Sequence, residues 1–198
     1  DGSLRYFVNG VLQATPTPTA DAPLTVPGIA VPAGGNALLI YETRVNSFAP
    51  LDTESTVTNT ATLSGAGLTT PVQAASTVNA RAAAYLTIGK AVSPATVAEN
   101  GTLTYTFTIQ NYGNTAAAET DNVTVSDTFS PILKAISVTY NGVAWTEGTQ
   151  YTYNTATGAF ATTAGQITVP AASLTRDAAT GAVVVTPGIS TLTVTGTV

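Results

Sequence analysis

The sequence predicts an all-β protein whose strands pack as antiparallel sandwiches. Three observations predict it. Apolar and polar residues alternate with a period of two in runs rich in Val, Ile, Thr and Tyr. Turn signals interrupt these runs roughly every 8 to 15 residues. No stretch sustains a helical apolar period, and the alanine runs 82–84 and 116–118 are too short to stand alone as helices.

In chain order, Asn9-Gly10, Pro27-Gly28 and Gly34-Gly35 mark the first turns. Residues 57–63 follow, with Val57, Ala61 and Leu63 on one face and threonines on the other. After Asn100-Gly101, residues 103–109 form the clearest strand: Leu103, Tyr105, Phe107 and Ile109 share one face and three threonines share the other. Residues 123–125 and 136–140 repeat the scheme. Asn141-Gly142, flanked by Tyr140 and Val143, is a strong hairpin signal. Pro187-Gly188 then leads into the alternation of residues 192–195. Threonine suits an outer face because its branched Cβ fits the pleat while its hydroxyl meets water.

Composition narrows the function. Of 198 residues, 39 are Thr, 32 are Ala, 44% are hydrophobic and 9% are charged. A disordered polyampholyte would be poor in apolar residues and rich in charge, and a coiled coil would be rich in Ala, Glu, Lys, Leu and Arg. Histidine, cysteine and methionine are absent. Disulfides, thiolate nucleophiles, imidazole bases and His/Cys metal sites are therefore excluded. Six basic against eleven acidic residues, with a pI near 4.3, argue against nucleic-acid binding. No apolar run is long enough to span a bilayer, and Asp1-Gly2-Ser3-Leu4-Arg5 does not read as a signal peptide. Thr-rich, Lys-poor, Cys-free acidic chains fit the bacterial cell surface, where β-structure replaces disulfides as the source of stability.

The chain also repeats itself. Phe7-Val8-Asn9-Gly10-Val11 resembles Thr139-Tyr140-Asn141-Gly142-Val143, and residues 39–45 resemble 192–198. Residues 1–45 then correspond to roughly 137–198, with an insertion in the second copy. On this reading the first copy lacks everything equivalent to 85–135. The second lacks a counterpart to 57–63.

Residues 86–92 (Leu-Thr-Ile-Gly-Lys-Ala-Val), 103–114 with their Asn111-Tyr112-Gly113, and 123–129 with their Asp127-Thr128 carry a resemblance. Together with Thr58-Asn59-Thr60-Ala61 they resemble the conserved repeat domain of unknown function number eleven. The resemblance covers nearly the whole chain. It implies tandem Ig-like, Greek-key β-sandwiches in secreted or surface-exposed proteins of bacteria or archaea, some of which build fibres. It implies no enzymatic activity and no cofactor.

The order of the motifs is rotated relative to that family. Residues 1–80 read as the C-terminal part of one repeat including its closing strand, and 81–198 as a second repeat incomplete at its C-terminal edge. Three accounts stay open: a fragment cut within a repeat, completion by another chain, or fold-back of 46–63 onto 85–198. An incomplete sandwich exposes an unpaired edge and an apolar groove. The expected acceptor edge is Leu192, Val194 and Val198, and the expected donor strand presents Val57, Asn59, Ala61 and Leu63, as in β-augmentation.

Similar pilin-type domains join a first-strand lysine to a last-strand asparagine, helped by a buried carboxylic acid. By position the candidate isopeptide residues are Lys90, Asn59 and Asp127. Such a bond needs a desolvated, neutral amine and a carboxyl that passes protons. The bland alternative leaves Lys90 exposed, Asp127 capping a turn and Asn59 bonded to a loop. Glu119, Asp121 and Asn122, like Asp52 and Glu54, lack the spacing of a calcium loop, and no metal site is expected. Asn100 and Asn122 head glycosylation sequons. Trp145 reads as hairpin packing rather than a sugar platform.

The expected function is a structural subunit of a bacterial extracellular fibre or surface layer, made by strand complementation between copies of the chain. The rival is a surface adhesin that recognises a host glycan or protein through loop residues such as Trp145, Tyr151 and Tyr153. An enzyme is not expected, because no nucleophile–base pair is visible.

Overall fold

The structure is a computed structural model, and it describes residues 3–21, 23–46 and 55–198. Strands and loops account for all of it apart from one 3-10 turn at Glu119–Asp121. Among the described residues no helix is long and apolar enough to cross a membrane. The chain divides into two compact units, Asp1–Asn46 and Ser47–Val198.

The first unit holds β1 (Arg5–Val8), β2 (Val11–Leu12), β3 (Ala20–Asp21), β4 (Leu24–Thr25) and β5 (Ala37–Ile40). Its main sheet has the order β2-β1-β5, all antiparallel, and β3 pairs β4. Asn9 and Gly10 both have positive φ, 49° and 77°, the signature of a two-residue hairpin turn that matches strand twist. Burial is slight: of the hydrophobic residues described, Leu4 and Tyr6 are the buried ones. The Tyr6 hydroxyl donates to the Ala30 carbonyl and accepts from the Ala30 N–H, both at 2.9 Å.

The second unit begins with a hairpin of β6 (Thr56–Leu63) and β7 (Val72–Asn79). Its sandwich follows: β8 (Leu86–Ser93), β9 (Thr102–Asn111), β10 (Ser126–Thr128), β11 (Lys134–Tyr140), β12 (Val143–Trp145), β13 (Tyr151–Tyr153), β14 (Ala159–Thr162), β15 (Ser173–Arg176), β16 (Val183–Thr186) and β17 (Gly188–Thr197). One antiparallel sheet runs β12-β11-β17-β9-β8 and the other β10-β14-β13, while β15 and β16 form a separate hairpin. The repeat boundary expected between residues 80 and 81 falls inside the second unit, between β7 and β8, whereas the compact units divide between Asn46 and Ser47.

The alternation seen in the sequence places the core. Leu103, Tyr105, Phe107 and Ile109 of β9, with Leu192 and Val194 of β17 and Val138 of β11, face Phe129, Phe160, Ile167 and Val169. Phe129 is the hub, with ring centroids 4.8 Å from Tyr105 and 5.7 Å from Phe160. One expected strand moves. Residues 123–125 are not in a sheet, because Val125 bonds the Thr162 side chain and backbone instead, and the strand starts at Ser126.

The internal repeat has a structural counterpart. The order β2-β1-β5 matches β12-β11-β17, and Asn141-Gly142 repeats the turn with φ of 48° and 80°. Asn9 Oδ1 accepts from Asn36 N–H at 2.9 Å, and Asn141 Oδ1 accepts from Thr191 N–H at 2.8 Å. Val8 pairs with Ala37 where Tyr140 pairs with Leu192. The structural match is therefore Ala37 with Leu192, two residues away from the sequence match of Leu39 with Leu192. A two-residue slip keeps every side chain on its face, so alternation alone does not detect it.

Candidate functional site

The expected acceptor edge is not an edge. β17 lies inside its sheet, paired to β9 along ten residues and to β11 on the other side. Leu192 and Val194 are fully buried, and the backbone of Val198 bonds Asn100 and Gly101. Strand β17 ends the sequence but occupies the middle of the sheet, and position in the chain says nothing about position among strands.

The sandwich is open elsewhere. Among the described residues β8 pairs only with β9, and β10 pairs only with β14. Ile88, Lys90 and Val92 of β8 stand opposite Ile109, Phe107 and Tyr105 of β9, so they face the core side. Their partners are 3%, 3% and 8% exposed, yet Ile88 is 56% and Val92 45% exposed. Those core-side residues are uncovered because the second sheet stops at β10. The result is an apolar seam between β8 and β10 with an unpaired strand edge on each side.

Lys90 and Asp127 meet in this seam. The Lys90 ammonium forms an ion pair with Asp127 Oδ2, and the side chains are 42% and 18% exposed. It also lies over three rings, 4.8 Å from the centroid of Tyr105 and 5.6 Å from those of Phe107 and Phe129. Asp127 Oδ1 accepts from the Thr128 N–H at 2.9 Å. Oδ2 is buried and accepts no hydrogen bond, its partner being the Lys90 charge. At this exposure solvent screening holds such a pair to about 1 kcal/mol or less.

Asn59, the third residue of the expected set, is not with them. It sits in β6, paired opposite Ser76 of β7, in a hairpin exposed along its whole length. The hairpin is two-faced. Val57 with Val78, Ala61 with Ala74 and Leu63 with Val72 make one face apolar, interrupted only by Asn59 with Ser76. Thr56, Thr58, Thr60 and Thr62, with Gln73, Ala75, Thr77 and Asn79, make the other. Val57, Leu63, Val72 and Val78 are 46%, 51%, 55% and 68% exposed. The donor residues thus share one face and are not seated on their own sandwich.

The remaining candidates have structural work. Tyr151 is buried and its hydroxyl pKa is raised by desolvation and by the charge of Glu147. Tyr153 bonds both the N–H and the carbonyl of Leu133, and Trp145 stacks on Tyr140 at 4.9 Å. Asp121 accepts from Ala118 N–H at 2.8 Å, and Asn122 donates to Thr120 O at 3.1 Å. No group of three or more acidic residues able to hold a metal occurs among the described residues. Asp52 and Glu54 lie outside the described residues.

One residue matters more than its sequence signal suggested. Asn111 is completely buried and makes four hydrogen bonds: Nδ2 to the carbonyls of Thr115 and Pro170, Oδ1 from the N–H groups of Tyr85 and Gly113. It ties the start of β8 to the end of β9, while Asn114 holds Arg81 and Ala83. Gly113 is required there, since a Cβ would strike the backbone of Ala83 and Tyr85. The Asn-x-Gly after a strand was the available clue. Comparison of the chain with protein-family models, with curated proteins and with solved structures finds no match.

Proposed function

We propose that this chain is a structural subunit of a bacterial extracellular fibre or surface layer, assembled by strand complementation between Ig-like repeats of successive copies. The observation that carries the reading is the open seam between β8 and β10, with Ile88 and Val92 uncovered on the core side. A strand added there would hydrogen-bond to a free edge and cover apolar surface, the two ingredients of β-augmentation. A donor on one part of the chain and an acceptor on another make a heterologous contact, which propagates as a filament when the rotation does not close. The Thr-rich, Cys-free composition suits an extracellular, secreted setting, and copies of the chain are the partners.

The seam also suits a covalent lock. Lys90 Nζ would attack the side-chain carbonyl carbon of Asn59 delivered by the donor strand. A new C–N amide bond forms, the Asn59 C–Nδ2 bond breaks, and Asp127 relays the two protons that Lys90 Nζ loses to Asn59 Nδ2, which leaves as ammonium. The Lys90–Asp127 ion pair and the presence of Asn59 on the apolar face of β6–β7 support this reading. The donor strand would have to desolvate Lys90, which is 42% exposed, before the amine could lose its charge.

Negative-stain imaging of the purified chain tests the assembly. Regular filaments are expected, lost in an Ile88→Asp, Val92→Asp variant whose thermal unfolding is unchanged. Monodisperse monomers at all concentrations would remove the proposal. Intact mass of assembled material, lower by one ammonia per junction, tests the lock; material at its simple mass would remove that part alone.

A further inference from the structure

We infer that the β6–β7 hairpin of a second copy occupies the β8–β10 seam, in the register that sets Asn59 against the Lys90–Asp127 pair. The inference rests on the fibre reading and names its joint.

Three observations carry it. First, the match is one of pattern. The seam is apolar except for Lys90 and Asp127, and the inner face of the hairpin is apolar except for Asn59 and Ser76. Sliding the hairpin by two residues would keep its apolar face inward but bury the ion pair against alanine or valine. A buried charge pair left without further hydrogen bonds is strongly unfavourable. A carboxamide answers both members at once, its Nδ2 donating to Asp127 and its Oδ1 accepting from Lys90. Asp127 Oδ2, whose partner is the Lys90 ammonium, has a further lone pair to offer such a donor. Polar pairs of this kind fix register rather than add stability, as a single buried asparagine does in a coiled coil.

Second, the repeat assigns the element. β5 corresponds to β17 by pairing, and β6–β7 is the next element after β5. The hairpin is therefore the next described element after a strand of the β17 kind. Third, the chain's own hairpin is held off. Residues 80–85 join it to β8, and Asn111, Asn114 and Gly113 pin Arg81, Ala83 and Tyr85.

The test is a substitution cycle read by filament yield and by sedimentation of the soluble oligomers. Asn59→Leu is expected to weaken assembly at least 10-fold. Combining it with Lys90→Met and Asp127→Leu is expected to restore assembly to within about 3-fold of the unaltered chain, because the two polar features vanish together. If the combined variant assembles no better than the single one, the register is wrong. Hydrogen exchange on the unaltered chain guards against misfolding of the variants: assembly should protect amides of residues 56–63, 72–79 and the β8 and β10 edges together. Filaments with an unprotected hairpin would overturn this joint while leaving the fibre reading intact. Absence of filaments would end both.

Discussion

Asn111 shows how much one side chain decides. Its four hydrogen bonds satisfy two carbonyls and two N–H groups where the start of β8 meets the end of β9. Asn111→Ala would strand those groups, each at about 1 to 3 kcal/mol when buried. Urea unfolding should show a loss of about 3 kcal/mol or more, a large share of a small domain's margin. Lys90 presents the opposite case, a conspicuous charge worth little while solvent reaches it. Its value arises only if something covers it. The sequence singled out Lys90 and Asp127 as candidates, yet their contact depended on β8 and β10 meeting across the sandwich, 37 positions apart in the chain.

Among elements, the hairpins separate into those completed by the fold and those left exposed. β11–β12 is held by the Asn141 bridge to β17, whereas β15–β16 relies on its own turn. There Asp177 Oδ1 accepts from the N–H groups of Ala179 and Thr180 and from the Thr180 hydroxyl. These bonds, the Thr180 hydroxyl first, lower the Asp177 pKa below its usual 3.8. A lowered folded-state pKa means the turn is stabilised above the unfolded value and loses that stabilisation as pH falls through the folded one. An NMR titration should find the Asp177 midpoint below 3.8, rising toward it in Thr180→Ala. For β6–β7, partial burial of Val57, Leu63, Val72, Val78, Ile88 and Val92 would be worth about 1 kcal/mol each. Association costs about 4 to 15 kcal/mol, so apolar contact alone does not hold a joint. Backbone bonds to the β8 and β10 edges have to contribute the rest.

At the scale of the molecule, the buried cluster of the second unit is drawn from residues 103–194, and in the first unit Leu4 and Tyr6 are the buried hydrophobics among the described residues. Calorimetry should therefore place the main unfolding transition of a chain lacking residues 1–46 within about 2 °C of the intact one, since independent units melt as separate transitions. The all-β class, the strands around 57–63, 103–109, 136–140 and 192–195, the turn at Asn9-Gly10 and the hairpin at Asn141-Gly142 followed from the sequence alone. Each is a local matter: a period of two decides a face, and a pair of residues tolerant of positive φ decides a turn. The internal repeat was legible for the same reason, though its register was off by the two residues that alternation does not resolve. Tertiary structure alone decided that β17 lies between β9 and β11, so that Leu192 and Val194 are interior, Val198 is half-buried, and the open margin among the described strands runs along β8 and β10. Strand neighbours are chosen by hydrogen bonding and burial between distant segments, and no local pattern encodes which edge the closed sandwich leaves unpaired.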